Sequence, residues 1–273
     1  MKSSVTIALV PSVRSGPWIY WDDLRGSLEK AADLGFDAVE LFTGSGGAVD
    51  VAELAKLLDK LGLAVSAVGT GAGKVVHGLT LTDPDPVIRS KAVDFISEMI
   101  SFGAALKAPA IIGSMQGNVQ PGTSREHALA WLTEGLNILG EKAAALGVRL
   151  IYEPLNRYET NLINHLGTGV ELIKTLATGN VFLLADLFHM NIEEASVMES
   201  LRSARPYIGH VHLADSNRRP AGLGHTPIKE IADVLKETGY DGYISAEAFP
   251  YPAPDAAAEQ TIRAFKTYFK TIP

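Results

Sequence analysis

A chain of 273 residues, 47% of them hydrophobic, is long enough for one large core or two smaller ones and is neither disordered nor fibrous. Its net charge of -7 and sequence pI near 5.5 argue against nucleic acid as a partner, because nucleic-acid binders carry clustered basic surface. Cysteine is absent, which excludes a disulfide framework and a thiolate metal site and leaves oxygen and nitrogen as metal donors.

The first apolar run, VTIALV (Val5 to Val10), is broken at Pro11 and is too short for a signal core or a membrane span. A cytoplasmic protein without a membrane partner is the expectation. SVRSGPWIYWDD follows, in place of the glycine fingerprint that binds dinucleotide phosphates. Trp18 and Trp21 in this stretch are candidates to wall a pocket. Further runs then alternate with amphipathic segments: LEKAADLG before FDAVELF (Phe36 to Phe42), and VAELAKLLDKLG before LAVSAVG (Leu63 to Gly69). PVIRSKAVDFISEMISFG precedes PAIIGS (Pro109 to Ser114), and REHALAWLTEGLNILGEKAAALG precedes VRLIYE (Val148 to Glu153). The segments between runs are polar on one face and apolar on the other, as helices on a core are. Gly35, Gly62, Gly103 and Gly147 stand where left-handed helix caps would close them.

VFLLAD (Val181 to Asp186), YIGHVHLAD (Tyr207 to Asp215) and YISAEAF (Tyr243 to Phe249) complete eight runs. Continuous apolar strands alternating with helices imply a parallel sheet, and eight units in this length predict an α/β fold: a single (β/α)8 TIM barrel, one domain over residues 1–273. GTGAG (Gly69 to Gly73) would let backbone approach a ligand but lacks the P-loop pattern. Ser66 and Phe249 are weaker pocket candidates.

In such barrels, polar residues at the C-terminal ends of strands are functional. The strands in the last four runs are expected to end in Glu153, Asp186, His212 (within HVHLAD) and Glu247 (within SAEAF). Three carboxylates at one rim repel unless neutralised, so one divalent metal ion is expected. Mn²⁺ suits the donors best, Mg²⁺ or Co²⁺ also fit, and Zn²⁺ is less favoured. His210 shares a strand face with His212 and is expected to be a hydrogen-bonded interior residue or a group that supports the ligands from behind.

EPLNRYET, LADLFHMNIEE and HLADSNRRPAGLGH resemble the metal-and-substrate motifs of the xylose-isomerase-like TIM barrel superfamily. The likeness is greatest to the D-tagatose and D-allulose (ketose) 3-epimerase group and related keto-sugar-acid epimerases. That resemblance implies an isomerase acting on a small-molecule sugar, with Glu153, Asp186, His212 and Glu247 as metal ligands. It also implies substrate contacts from Glu159, His189 and Arg218, and a homo-dimer or homo-tetramer. Glu153 and Glu247 are then the catalytic pair, flanking C3 of a ketose or keto-sugar acid and moving its proton through a cis-enediolate. Arg219 is expected to be solvated, or to meet an acidic group of the substrate.

An aldose-ketose isomerase of the hydroxypyruvate or inosose type could keep the same residues. An apurinic endonuclease-like phosphodiesterase would need histidines on earlier strands, where Val68-Gly69 and Gly113-Ser114 stand. A non-catalytic binder would have lost one of the two glutamates.

Overall fold

Branched and aliphatic side chains fill both faces of a sheet when helices cover it, and the apolar runs become strands for that reason. In the computed structural model, which describes residues 1–270, they are β1 (Lys2–Ala8), β3 (Ala38–Phe42), β4 (Ala64–Gly69), β5 (Ala110–Ile112), β6 (Leu150–Tyr152), β7 (Val181–Asp186), β8 (Ile208–His212) and β9 (Tyr243–Ala246). A two-residue strand, β2 (Tyr20–Trp21), lies beside the end of β1. All the pairings are parallel. Because β1 pairs with both β3 and β9, the sheet closes into an eight-stranded barrel.

Around it run α1 (Leu24–Leu34), α2 (Val51–Leu61), α3 (Ala72–His77), α4 (Pro86–Ala105), α5 (Arg125–Ala145), α6 (Leu166–Thr175), α7 (Leu187–Glu193), α8 (Val197–Ala204), α9 (Ile228–Glu237) and α10 (Pro254–Tyr268). Their starts are set by short acceptors: Asp50 takes the Glu53 N–H at 3.0 Å and Ser124 the His127 N–H at 3.1 Å. Gly35, Gly62 and Gly147 adopt the left-handed conformation expected of them, with φ of 80°, 68° and 73°. Gly103 does not. It lies inside α4, and the left-handed residue is Lys107 (φ 59°). A Cβ on Gly103 would stand 2.7 Å from the Ala108 carbonyl oxygen, so this glycine serves close packing and not a cap.

Side chains alternate between the two faces of each strand. Leu150 and Tyr152 pack outward in the large core shared with the helices, whereas Ile151 joins Ala67, Ile111 and Leu184 inside the barrel. Burying each large aliphatic side chain contributes about 1.5–3 kcal/mol, which anchors the strands whose next inward positions carry charge. Ser66 belongs to this interior. Its hydroxyl meets that of Ser4 at 2.7 Å below the cavity, which corrects the expectation of a pocket role. No helix among the described residues is long and apolar enough to cross a membrane.

Candidate metal and substrate site

Two residues beyond the inward Ile151 comes Glu153, and two beyond Leu184 comes Asp186, so the same pleat that packs the barrel delivers carboxylates to its rim. His212 ends β8 and Glu247 directly follows β9. The four predicted residues converge, one donor atom from each lying within 4.8 Å of the others. His212 Nδ1 stands 3.4 Å from Asp186 Oδ2, 3.5 Å from Glu247 Oε2 and 3.7 Å from Glu153 Oε1.

Three of these atoms, Glu153 Oε1, Asp186 Oδ2 and His212 Nδ1, are buried without a hydrogen-bond partner. Leaving charged groups buried and unpaired costs several kcal/mol, and a divalent cation shared among them would remove that cost. Hard oxygen donors with one imidazole suit such an ion. Asp186 divides its two oxygens. Oδ1 caps α7 by accepting the N–H groups of Phe188 (2.7 Å) and His189 (3.1 Å), and Oδ2 is left facing the cluster. Capping and cation-holding are therefore compatible in one side chain.

Burial pushes the Glu153 carboxyl well above the ordinary carboxylate range, opposed by His212 and reinforced by Glu247 and Asp186. Burial acts the same way on Glu247, but the Arg218 guanidinium and His212 together outweigh it and the carboxyl is held low. Burial lowers His189, whose ring stays neutral, while the surrounding carboxylates overcome burial at His212 and raise it.

Arg218 is the positive charge already present among these anions. Its guanidinium contacts Glu247 Oε2 directly, lies 3.6 Å from Asp186 Oδ2 and stacks 4.6 Å from the Phe188 ring centre. Its backbone is left-handed (φ 56°), held by an N–H donated to the Asp215 carbonyl and by the Phe249 N–H, each at 2.8 Å. Asp215 in turn accepts the N–H groups of Ser216, Gly222 and Thr226, which stitches the loop closed.

His189 is turned inward by the first turn of α7. Asn156 donates its amide to His189 Nδ1 at 2.7 Å and to Glu159 Oε1 at 3.0 Å, and its other end accepts the Tyr158 N–H. The ring hydrogen of His189 therefore sits on Nε2, facing the Glu153 carboxylate (3.7 Å), while Arg218 Nη1, itself a donor, lies 3.4 Å away. Glu159 lies in the loop after β6, facing Arg218 at 3.8 Å. The nearby Arg157 pairs not with Glu159 but with Glu193, at 2.9 Å.

These groups floor a cavity of about 460 Å³ whose far wall is Trp18, Phe42, Val75 and Ile111. Trp18 packs against Phe42 at 4.2 Å, and Gly69, Thr70, Gly71 and Phe249 complete the lining. Trp21 is not in the wall; it meets the edge of Trp18 from behind. Arg219 points away and lies 3.8 Å over the Tyr251 ring. Sequence reasoning missed Asn156 and, more consequentially, Glu40. The signal for Glu40 was a carboxylate in the middle of the aliphatic run AVELF, where burial demands a partner.

A closed parallel barrel with its polar groups gathered at one rim places the chain among the (β/α)8 barrels. It belongs to the xylose isomerase-like TIM barrel family, whose model matches residues 28–268. The chain is 32% identical over 245 residues to D-psicose 3-epimerase of Agrobacterium fabrum, covering 87% of this chain and 80% of that one. It is 32% identical over 234 residues to L-ribulose 3-epimerase of Mesorhizobium japonicum, covering 83% and 76%. The crystal structure of D-psicose 3-epimerase with D-tagatose from Clostridium cellulolyticum H10 matches with a TM-score of 0.81 at 25% identity, over 99% of this chain and 100% of that one. The resemblance drawn from the motifs of the second half thus extends across the whole barrel.

Proposed function

We propose that the protein is a divalent-metal-dependent sugar epimerase that inverts C3 of a ketose or keto-sugar acid. The observation that carries this reading is the set of unpartnered buried atoms of Glu153, Asp186 and His212, facing Glu247 at the base of a sugar-sized cavity. Identity to ketose 3-epimerases over more than four-fifths of the chain supports the reaction class. Glu153, Asp186, His212 and Glu247 would hold the cation, with Mn²⁺ favoured by three oxygen donors and one nitrogen. When bound, that ion supplies the polarisation of the substrate carbonyl that makes the adjacent C–H acidic.

The chain's own groups do the rest. Glu153 and Glu247 arrive from β6 and β9, on separate sides of the cluster, so one removes the C3 proton while the other, protonated, returns one to the opposite face. Arg218 and the Nε2–H of His189 donate to the oxygens that gain charge as the proton leaves. Glu159, fixed by Asn156, accepts from a substrate hydroxyl. Trp18, Phe42 and Ile111 keep water from the deprotonated sugar.

Incubating the Mn²⁺-loaded protein in D₂O with fructose, tagatose, ribulose and keto-sugar acids, read by NMR, tests the assignment. Deuterium at C3 together with the inverted ketose is the expected result. Aldose formation in place of inversion would move the protein to the aldose-ketose isomerases, and absence of exchange with every substrate would end the proposal.

A further inference from the structure

Glu40 sits in β3 between Val39 and Leu41, both fully buried, and is itself only 4% exposed. A carboxylate in such a place needs partners, and it finds them across the barrel. Glu40 Oε2 accepts the Nε2–H of His210 at 2.8 Å, and the same carboxylate accepts the Nε2–H of His212 at 3.0 Å to Oε1 and 3.2 Å to Oε2. The two imidazoles stand nearly perpendicular, 82° apart, which lets both aim one nitrogen at a single acceptor. Glu40, His210 and His212 could themselves enclose a cation by proximity alone. Their facing atoms, however, already satisfy one another, and the partnerless nitrogen of His212 is the one on the other side of its ring.

The strand pairing shows an independent sign that this contact is built. Within the barrel, the register slips between Val39 and Glu40 where β3 meets β4, and between Leu183 and Leu184 where β7 meets β8. The first slip leaves Ser66 as the extra residue opposite Glu40, and the second leaves Gly209 as the extra residue directly before His210. Bulges re-aim the side chains beside them. Here they flank the carboxylate and one of its two histidine partners.

We propose that Glu40 is a positioning residue: by accepting the Nε2–H of both His210 and His212, it locks the His212 ring with Nδ1 as the nitrogen left to ligate, turned to the Glu153, Asp186 and Glu247 oxygens. The inference rests on the cation-site reading given above. A neutral imidazole carries one ring hydrogen, and a strong acceptor at Nε2 leaves Nδ1 as a lone pair able to act as a ligand. Without that acceptor the hydrogen is free to move to Nδ1, where Asp186 Oδ2 at 3.4 Å and Glu247 Oε2 at 3.5 Å would hold it and the ligand would be lost. Donation of Nε2–H to a carboxylate also raises the basicity of the ligating nitrogen. His210 secures the second half of the arrangement by pinning Glu40 Oε2.

The test is calorimetric Mn²⁺ binding to the full chain after chelator stripping, with Glu40→Gln beside the parent. Glutamine keeps the shape but places an N–H donor against one of two N–H donors, so one imidazole must reverse its tautomer. The expected result is Mn²⁺ affinity about 10- to 100-fold weaker in a variant that stays folded by circular dichroism. The unmutated protein supplies a second readout that no folding failure can remove. Loaded with diamagnetic Zn²⁺ and labelled with ¹⁵N-histidine, it should show His212 protonated at Nε2 and ligated through Nδ1. A merely structural glutamate would shift the melting curve without moving that assignment. A parent that binds Mn²⁺ while a folded Glu40→Gln binds it equally tightly overturns this inference alone, as does ligation through Nε2. A parent that binds no divalent cation overturns the site reading and this inference together.

Discussion

The two halves of the barrel rim are built differently. From β6 to β9 the strand ends present Glu153, Asp186, His212 and Glu247; from β1 to β5 the corresponding positions are Ala8, Phe42, Gly69 and Gly113. Donors for one cation must come within a few ångströms of one another, and only neighbouring strands bring that many ends so close. The other half supplies space and apolar wall. A low-dielectric wall strengthens every charge interaction on the facing side, so this half contributes through its uncharged rim, its carboxylate in contact with the cluster being Glu40, two residues before Phe42 in β3.

The harshest way to break this contrast is to neutralise the charged half at one of its two proposed proton carriers. Glu247→Gln removes an acid-base group and keeps its volume, and the Arg218 contact can persist to the amide oxygen. Solvent exchange at C3 should fall about 10²- to 10⁴-fold, with little change in melting temperature. Exchange at the parental rate, measured by deuterium uptake, would remove Glu247 from the pair of proton carriers.

A sharper test attacks the charged half from the quiet one. A Cβ on Gly113 would lie 2.4 Å from Glu153 Oε2, nearer than any real Cβ contact, and Gln116 clamps both backbones by donating to the carbonyls of Gly113 and Glu153 at 3.0 Å each. The backbone cannot yield easily, so in Gly113→Ala the Glu153 carboxylate must turn. Displacing a reacting group by about 1 Å costs about 10²-fold in rate. The expected outcome is that loss in kcat/KM with a native circular dichroism spectrum; a fully active Gly113→Ala would show that the quiet half supplies wall only.

What was legible in the sequence follows from the range over which each signal acts. Eight apolar runs announce eight strands because each strand is buried along its own length, and a charge ending such a run is a local anomaly, as at Glu153 and Asp186. Glu40 is anomalous too, but its meaning depends on His210, 170 positions away, and no local pattern carries that. Gly103 misleads for the opposite reason. A glycine that admits Ala108 against a helix and one that caps a helix in the left-handed conformation look alike until the neighbouring carbonyl is placed. Trp18 and Trp21 likewise share a loop, and only the path of β2 decides which ring reaches the cavity.

The smallest expected effect separates two adjacent arginines. Arg218 and Arg219 are chemically identical, yet the left-handed backbone at Arg218 turns its side chain into the carboxylate cluster, while Arg219 is left over the Tyr251 ring at the surface. That turn is enforced by Asp215 and Phe249 through backbone contacts, none of which involves the Arg219 guanidinium. Arg219→Ala therefore removes a half-buried cation–π contact with the exposed Tyr251 ring, worth about 0.5–1 kcal/mol, and leaves the C3 exchange rate and the substrate KM at parental values. A raised KM confined to acidic sugars would instead mean that Arg219 swings from Tyr251 to meet a substrate carboxylate, and the boundary of the charged half would have to be drawn one residue further along this loop.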